Sequence, residues 1–372
     1  MRIIHMIDSG GLYGAEAVLL TLASEQIRRG DAPVILSVGD AGAGEKALET
    51  EAQRRKIECE TLRMHDGLNF ALARRVVAAA EAQGADIIHS HGYKGNILLG
   101  LLPRAERPTP VVTTLHGWTA KRTFSKLGLY RFLDQWVLSR LDGVVIVNEE
   151  MRRVRAVARL AMPAVTISNG VMPAKAIELD ESLARPLAAM RARCTVIFGV
   201  IGRLSPEKNV AGLIEALATL GPDKNIGLAV LGAGSEQRAI EQTIARYGLN
   251  ARVMLAGYVA NARAALPLLD ALVIPSFTEG LPMILLESMS AGTPVIATRV
   301  GDIPNVLSDS GVLVPPNDMG ALAGALSQVA GDLPRYRDLA ALAVERIARD
   351  YGAATMAEKY SAVYEEVMRM KS

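Results

Sequence analysis

Short runs of β-branched and aliphatic residues alternate with longer segments of helical periodicity, and this alternation constrains the fold more than any other feature. It is typical of parallel β-α-β units, in which each strand is followed by a helix that packs back on the sheet. The pattern occurs twice, with a proline-containing segment of little periodicity at Pro163–Arg193 separating the two occurrences. We therefore predict an α/β protein with two doubly wound domains.

Five strands are predicted in each half. Those of the first half are Arg2–Ile7, Pro33–Val38, Ile87–His89, Val111–Leu115 and Gly143–Val147. Those of the second half are Thr195–Ile201, Ile226–Leu231, Val253–Ala256, Ala271–Pro275 and Pro294–Ala297. Helices are predicted at Glu16–Arg28, Lys46–Arg55, Leu72–Ala82, Asn209–Thr219, Ser235–Tyr247, Pro282–Ala291, Met319–Ala330 and Ala353–Lys371.

These patterns divide the 372 residues into an N-terminal domain (1–172), a linker (173–193) and a C-terminal domain (194–352). We expect the last helix, at about 353–372, to pack back on the first domain. Two domains suit a chain of this length. Because doubly wound sheets bind ligands at the carboxyl ends of their strands, we expect the domains to face a central ligand-binding cleft.

Composition narrows the cellular setting. The net charge of +2 favours neither nucleic acid nor membrane, and we expect no nucleic-acid partner. The sequence begins with strand-like residues instead of a signal-peptide pattern, and no apolar stretch approaches the roughly 20 residues that span a bilayer. Cys59 and Cys194 lie far apart without metal-like spacing. We expect two free thiols in the reducing cytoplasm.

The segment Pro275–Glu287 carries the strongest functional pattern. A predicted strand ends at Pro275, a loop carries Glu279 and Gly280, and Pro282 suits the first turn of a helix. Backbone N–H groups at such a helix start can bind an anion. Carboxylates repel phosphate, so Glu279 and Glu287 are better suited to the hydroxyls of a sugar and a ribose. The alternative is a solvated loop acid and a buried helix-capping partner.

Two cations and several glycines follow the other strands of the second half. Arg203 and Lys208 lie after its first strand and could neutralise a diphosphate as the bond to a sugar breaks. Glycine turns follow the later strands at Gly232–Gly234, Gly257–Val259 and Gly301–Pro304. Each turn alone is weak evidence, because ordinary α/β connections also need glycine.

In order and spacing these motifs resemble retaining glycosyltransferase family 4 (glycosyl transferases group 1), which has the GT-B fold of two Rossmann-like domains. The matching segments are G-R-L-x-x-E-K at Gly202–Lys208, G-x-G at Gly232–Gly234, E-x7-E at Glu279/Glu287, Ala291–Thr298 and Gly311–Pro316. The resemblance covers essentially the whole second half. One departure is Gly301–Asn305, where Asp302 and Asn305 stand in place of the second glycine and the glutamate of G-G-I-P-E.

The resemblance implies residue roles. Arg203 and Lys208 would bind the donor diphosphate, Glu279 the sugar and Glu287 the ribose, and the turn at Gly257–Val259 would line the base. The implied donor-binding set is Gly11, Gly14, Gly202, Arg203, Lys208, Gly232, Tyr258, Val259, Glu279, Gly280, Leu281, Pro282 and Glu287. The implied catalytic set is His116, Arg203, Lys208 and Glu279.

The first half supplies the acceptor side. Its glycine-rich loop, Asp8–Glu16, resembles the loop that faces the donor diphosphate and the acceptor in this family. His116 ends a predicted strand before Gly117, which matches the family's H-G motif, and we expect it to bond to the donor sugar or a nearby backbone group. His89 and His91 also lie at a strand end and could line the acceptor pocket. The residues expected on the acceptor side are Glu16, His91 and Trp118.

A basic segment suggests membrane contact. Residues 94–159 contain 12 Lys and Arg but only 5 Asp and Glu, and within them 118–136 interleaves cations with aromatic and aliphatic residues. Such a segment could rest on anionic lipid at the inner face of the cell membrane. An ordinary amphipathic helix with a solvated basic face is the alternative.

The resulting hypothesis is a retaining glycosyltransferase that uses a UDP-sugar in preference to a GDP-sugar. No Asp-x-Asp pair follows a strand, so we expect no metal and no cofactor. The expected acceptor is a cell-surface polysaccharide, a lipopolysaccharide or a lipid-linked glycan. The alternatives are a non-catalytic nucleotide-sugar-binding protein and a nucleotide-sugar 2-epimerase.

Overall fold

The computed structural model describes residues 1–12, 14–64, 69–116, 133–161, 164–173, 180–221, 225–259 and 261–371. The chain divides into two units, each built around one parallel sheet. The first unit is Met1–Gly170 with Ala353–Ser372, and the second is Val171–Gly352.

The first sheet has seven parallel strands in the order β3-β2-β1-β4-β5-β6-β7. They are β1 Arg2–Asp8, β2 Ala32–Asp40, β3 Glu58–Met64, β4 Ile87–Ser90, β5 Val111–Leu115, β6 Gly143–Ile146 and β7 Val165–Thr166. The strand order reverses between β1 and β4, which pair in parallel with His5 opposite His89. Such a reversal is the place where doubly wound sheets bind ligands.

The second sheet repeats this order with six strands, β10-β9-β8-β11-β12-β13. They are β8 Val196–Ile201, β9 Ile226–Leu231, β10 Val253–Gly257, β11 Ala271–Ile274, β12 Val295–Thr298 and β13 Val312–Val314. Its reversal lies between β8 and β11, where Phe198 pairs with Ala271.

Helices follow most strands. They are α1 Gly14–Arg28, α2 Ala47–Arg54, α3 Phe70–Ala82, α4 Tyr93–Leu101, α5 Arg155–Ala158, α6 Glu181–Arg191, α7 Val210–Thr219, α8 Gln237–Arg246, α9 Met283–Ser290, α10 Ile303–Leu307, α11 Met319–Gly331, α12 Leu333–Asp350 and α13 Ala353–Lys371. Helix α13 belongs to the first unit and packs against α1. None of the described helices is long and apolar enough to cross a membrane.

The cores lie on both faces of each sheet, which explains the near-continuous apolar strands. In β8, Phe198 packs into the cluster on one face and Ile197 into the cluster on the other. Strands β4, β5 and β9 are buried at every position.

The structure corrects the prediction of five strands in each half. Strand β3 lies at the edge of its sheet and carries charges at Glu58, Glu60 and Arg63, β7 has two residues, and β13 has three. None of these gives the long apolar run that marks a buried strand. The predicted linker also differs, because α6 lies within it and buries Leu183, Leu187 and Met190 in the core of the second unit.

Candidate functional site

The reversal point of the second sheet brings two functional loops side by side. Strand β8 ends at Ile201 and β11 at Ile274, and the loops that follow carry the motifs at 202–209 and 275–282. The carboxyl ends of neighbouring parallel strands lie at the same sheet edge, so residues distant in sequence meet there.

Two hydrogen bonds tie these loops together. The Phe277 N–H donates to the Glu207 carbonyl at 2.8 Å, and the Asn209 side-chain amide donates to the Pro275 carbonyl at 3.1 Å. Asn209 has a left-handed backbone with φ 51°, which joins a 3-10 turn at Pro206–Lys208 to α7. This geometry fixes the position of Lys208 relative to the second loop.

Lys208 and Glu279 form the central ion pair of this edge. The Lys208 ammonium donates to Glu279 Oε1 at 2.6 Å, and the Ser276 hydroxyl donates to the same oxygen at 2.7 Å. The Glu279 side chain is only 10% exposed, so its charge needs this partner. The two residues predicted separately as diphosphate and sugar ligands therefore lie in direct contact.

Arg203 lies on the same loop with a more exposed side chain. Its guanidinium donates to Glu207 Oε1 at 3.1 Å, and the Ser205 hydroxyl donates to that oxygen at 2.6 Å. The Ser205 hydrogen bond, together with the nearby Arg203 charge, lowers the pKa of Glu207. An ionised Glu207 therefore orients Arg203 at the sheet edge.

At two positions a backbone carbonyl oxygen comes so close that only glycine fits. Gly232 has φ 154°, and a Cβ atom there would overlap the Gly202 carbonyl oxygen. Gly301 has φ 54°, and its Cβ would overlap the carbonyl oxygens of Glu279 and Gly280. The glycine turns thus hold the loops after β8, β9, β11 and β12 against one another.

Beside the Gly232 turn, a cavity of about 410 Å³ is lined by Gly234, Ser235, Gln237, Arg238 and Glu241.

Helix α9 begins at this edge. Leu281 is buried, and Pro282, the N-cap residue, makes no side-chain capping hydrogen bond. Glu287, one turn into the helix, forms an ion pair with Arg263 at 3.9 Å. Sequence reasoning missed Arg263, because only the fold brings this residue to Glu287.

Two further segments lie near these loops: the turn predicted to line the base, Gly257–Val259, and the segment that departs from the family pattern, Gly301–Asn305. Tyr258 is 65% exposed and Val259 is half-buried, and the Gly232 N–H donates to the Gly257 carbonyl at 2.7 Å. The Asp302 N–H donates to the Gly280 carbonyl at 2.9 Å, and the Asn305 amide donates to Asp302 at 2.6 Å. The two unusual residues therefore bond to each other beside the Glu279 loop.

The glycine-rich loop of the first unit follows β1. The Ser9 hydroxyl donates to the Gly11 carbonyl at 2.6 Å, and α1 begins at Gly14. Glu16 is buried in the first turn of α1. Asp8 at the strand end forms ion pairs with Lys46 and Lys94.

Three histidines and a glutamine form a hydrogen-bonded chain in the first unit. Gln26 Oε1 lies 2.8 Å from His5 Nε2, His5 Nδ1 lies 3.0 Å from His91 Nε2, and His91 Nδ1 lies 3.0 Å from His116 Nε2. His5, His91 and Gln26 are buried, and His116 is half-buried. His116, the predicted sugar contact, is therefore the most exposed member of an internal chain.

Burial lowers the pKa of every ring in this region. It lowers the pKa of His5 to about 4, despite the opposing effect of the hydrogen bond to Gln26, and that of His116 to about 4. Burial and the neighbouring rings lower the pKa of His89 and His91 well below the usual value. These rings are therefore neutral near pH 7.

His89 has a separate set of partners. Its Nε2 lies 2.8 Å from the Thr114 hydroxyl and its Nδ1 lies 2.7 Å from the Tyr364 hydroxyl, which comes from α13. Nitrogen atoms of His5, His89 and His91 approach within 4.8 Å of one another, which is close enough to suggest a metal site. The nitrogens of these rings already bond to protein groups, so the arrangement fits a hydrogen-bond network better than a metal centre.

His91 and Trp118 are both predicted on the acceptor side. His91 does not offer a ring nitrogen to an acceptor pocket, because both nitrogens bond to other imidazoles in the interior. Trp118, and with it residues 118–132 of the predicted membrane-binding segment, lies outside the described residues.

Family comparisons match both units. Residues 195–332 match the model for glycosyl transferases group 1, and residues 13–175 match the model for glycosyltransferase family 4. The N-acetyl-alpha-D-glucosaminyl L-malate synthase of Bacillus anthracis is 24% identical over 81% of this chain and 80% of its own length. The D-inositol 3-phosphate glycosyltransferase of Corynebacterium diphtheriae is 26% identical over 96% of this chain and 90% of its own length.

Solved structures share the fold. The Anabaena protein HepE, in a complex with UDP-glucose, superposes with a TM-score of 0.83 at 21% identity, covering 98% of this chain and 100% of that protein. At this identity the likeness is evidence for the fold alone, and it confirms the predicted GT-B architecture.

Proposed function

The chain belongs to glycosyltransferase family 4 and is a glycosyltransferase, and from this premise we propose that it transfers a sugar from a UDP-sugar with retention and without a metal ion. The observation that carries the proposal is the Lys208–Glu279 ion pair at the reversal point of the second sheet. It joins a cation suited to phosphate and a carboxylate suited to sugar hydroxyls in one rigid unit.

The proposed diphosphate ligands are Lys208, Arg203 and the first N–H groups of α9. A lysine ammonium has three N–H donors, so Lys208 can bond to Glu279 and to a phosphate oxygen at once. Its charge also offsets the repulsion between the Glu279 carboxylate and the phosphates. The start of α9 adds the positive end of the helix dipole. Together these groups stabilise the negative charge that develops on the leaving diphosphate.

The remaining residues bind the neutral parts of the donor. Glu279 accepts hydrogen bonds from the sugar, and His116 forms a further hydrogen bond to it. Glu287, oriented by Arg263, holds the ribose hydroxyls. Tyr258 and Val259 line the base.

The proposed reaction breaks the bond between the anomeric carbon and the diphosphate oxygen. The electron pair of that bond leaves with the UDP, and an acceptor hydroxyl forms a new bond to the anomeric carbon on the same face. The proton of the hydroxyl passes to the departing phosphate oxygen. The charge that a metal would neutralise in other enzymes is assigned here to Arg203 and Lys208.

Relatives and sequence support the proposed donor and acceptor classes. The HepE complex contains UDP-glucose, which supports a UDP-sugar over a GDP-sugar. We propose a cell-surface polysaccharide, lipopolysaccharide or lipid-linked acceptor, reached at the cytoplasmic face of the membrane through residues 118–136. Anionic vesicles should then co-sediment the protein at low salt, and failure to do so removes the membrane part of the proposal.

Product analysis tests the transfer. EDTA-treated protein is incubated with UDP-glucose, UDP-N-acetylglucosamine or GDP-mannose and with lipid-linked or soluble glycan acceptors, and products are followed by NMR. Free UDP and a glycoside with the anomeric configuration of the donor are expected. An epimerised nucleotide sugar indicates the epimerase, and a bound but unchanged donor indicates a binding protein. An inverted product contradicts retention, and activity that returns only with Mg²⁺ contradicts metal independence.

A further inference from the structure

The hydrogen-bonded chain Gln26–His5–His91–His116 reaches from helix α1 to the residue proposed to contact the donor sugar. Its three links measure 2.8, 3.0 and 3.0 Å, all within ordinary hydrogen-bond length. Gln26 and His5 are 1% and 0% exposed, so water does not compete for the link between them. The chain therefore connects a buried amide to His116.

Neutral imidazoles give such a chain a single direction. Each neutral ring has one N–H and one nitrogen lone pair, and each ring-to-ring link needs one of each. Once the tautomer of the first ring is set, the tautomer of every later ring is set as well. If one ring takes the other tautomer, all the rings must change with it. Otherwise two lone pairs, or two N–H groups, face each other across one link.

Gln26 sets the direction. Its carbonyl oxygen faces His5 Nε2, so His5 carries its proton on Nε2 and a lone pair on Nδ1. His91 must then donate from Nε2 to His5, which leaves a lone pair on its Nδ1. His116 must in turn donate from Nε2 to His91, and its own lone pair is on Nδ1.

The neighbouring ring does not disturb this order. His89 lies beside His91, with ring centroids 4.0 Å apart and the ring planes tilted by 38°, but its hydrogen bonds go to Thr114 and Tyr364. Within the described residues the chain thus has one end at Gln26 and the other at His116.

We propose that Gln26, acting through His5 and His91, fixes the tautomer of His116 so that its Nδ1 accepts a hydrogen bond from a donor-sugar hydroxyl. The inference rests on the proposed function in assigning the sugar as the ligand. Gln26, His5 and His91 are positioning residues in this account, because they act through His116. The reversed chain would present an N–H at Nδ1, which could not accept from a hydroxyl.

Nitrogen NMR tests the tautomer directly in the full chain. With ¹⁵N-labelled histidine, a protonated ring nitrogen and one with a lone pair have well-separated shifts, and His116→Asn identifies the His116 signals by their loss. The wild type should show His116 protonated on Nε2 only. Protonation on Nδ1 would overturn the proposal, and this measurement needs no variant of Gln26.

Variants of Gln26 test its control over the chain. Gln26→Leu removes the accepting oxygen and should add signals of the second tautomer at His116, whereas Gln26→Glu keeps an acceptor and should keep the wild-type signals. Asn96→Leu, which removes a buried amide that bonds to Asp134 outside the chain, is the matched control. Unchanged His116 signals in Gln26→Leu would overturn the role of Gln26.

Kinetics connect the tautomer to the sugar. We expect Gln26→Leu to lower kcat/KM about tenfold, the value of one hydrogen bond, and Gln26→Glu to stay near the wild type. UDP should stabilise all variants equally. If the wild type fails to bind UDP, the proposed function is refuted while the NMR result stands. If the Gln26→Leu protein shows both tautomers of His116 but a normal kcat/KM, the contact between His116 and the sugar is refuted.

Discussion

Lys208 donates a 2.6 Å hydrogen bond from its ammonium nitrogen to Oε1 of Glu279, a residue 71 positions later in the chain. The pair exists because β8 and β11 are neighbours at the reversal point of the second sheet. Ser276 donates to the same carboxylate oxygen, which leaves Glu279 with a defined orientation. The proposed donor site depends on this arrangement.

The first prediction is that Lys208 and Glu279 act as one unit. Lys208→Met should lower kcat by about 10²–10³, the typical loss of one preorganised transition-state donor. Adding Glu279→Gln should cost much less than the product of the two single effects, because the residues share one function. Steady-state kinetics of the four proteins measure the coupling. Exposed Lys359 in α13 offers the control Lys359→Met, and purely multiplicative effects would contradict the prediction.

A second prediction concerns Ser276, whose side chain is fully buried. Ser276→Ala should lower the free energy of unfolding by about 1 kcal/mol through the lost hydrogen bond. It should also lower kcat severalfold, because Glu279 loses a group that orients it. Denaturant unfolding and kinetics are measured together. Ser361→Ala removes a helix-surface hydrogen bond in the first unit and should leave kcat unchanged; equal activity losses in both variants would refute the positioning role.

Gly232 provides a third prediction about the loop scaffold. Gly232→Ala should destabilise the second unit by about 2 kcal/mol or more, because its Cβ would overlap the Gly202 carbonyl and its φ suits glycine. Gly324, in α11, has open space around it, so Gly324→Ala should instead stabilise by up to about 1 kcal/mol. Chemical denaturation compares the two. A Gly232→Ala protein as stable as the wild type would contradict the close approach.

Acid sensitivity is the fourth prediction. His5 and His116 have a pKa near 4 in the fold against 6.5 in an unfolded chain. Between these values the unfolded chain binds more protons, so stability is full above about pH 6.5 and falls as the pH drops toward 4. Each ring contributes a slope of up to about 1.4 kcal/mol per pH unit. Denaturant unfolding of the wild type from pH 7 to pH 5 measures it.

The variant that tests this slope is His5→Gln, which removes one titrating ring. It should be less stable at pH 7 but lose less stability on acidification than the wild type. Identical slopes for the two proteins would show that His5 does not titrate with the predicted sign.

The central strands of the two sheets could be predicted well from the sequence, for a physical reason. Strands buried on both faces, such as β4, β5 and β9, need continuous apolar runs that local composition reveals. Edge strand β3 carries charges, and α6 contains Pro186, which disguises its helical pattern. The existence of the short strands and of α6 depends on packing that is not visible locally.

The candidate site likewise contains residues that sequence motifs identify and residues that only the fold brings together. Arg203, Lys208 and Glu279 stand out because they follow strands within family motifs. Their partners Ser276 and Arg263, and the chain from Gln26 to His116, depend on which strands and helices become neighbours. Strand order, register and helix packing are non-local, so no motif could reveal those contacts.

The most direct measurement is the shift of the thermal unfolding transition by UDP in the presence of EDTA. At about 100 times its dissociation constant a ligand stabilises by about 2.7 kcal/mol, which raises a melting temperature by a few degrees. We predict this shift for the wild type and for Arg246→Ala, whose residue is the last of α8. The shift should be lost in Arg203→Ala and Lys208→Met. No shift in the wild type, or an equal shift in all four proteins, would contradict a donor site at Arg203 and Lys208.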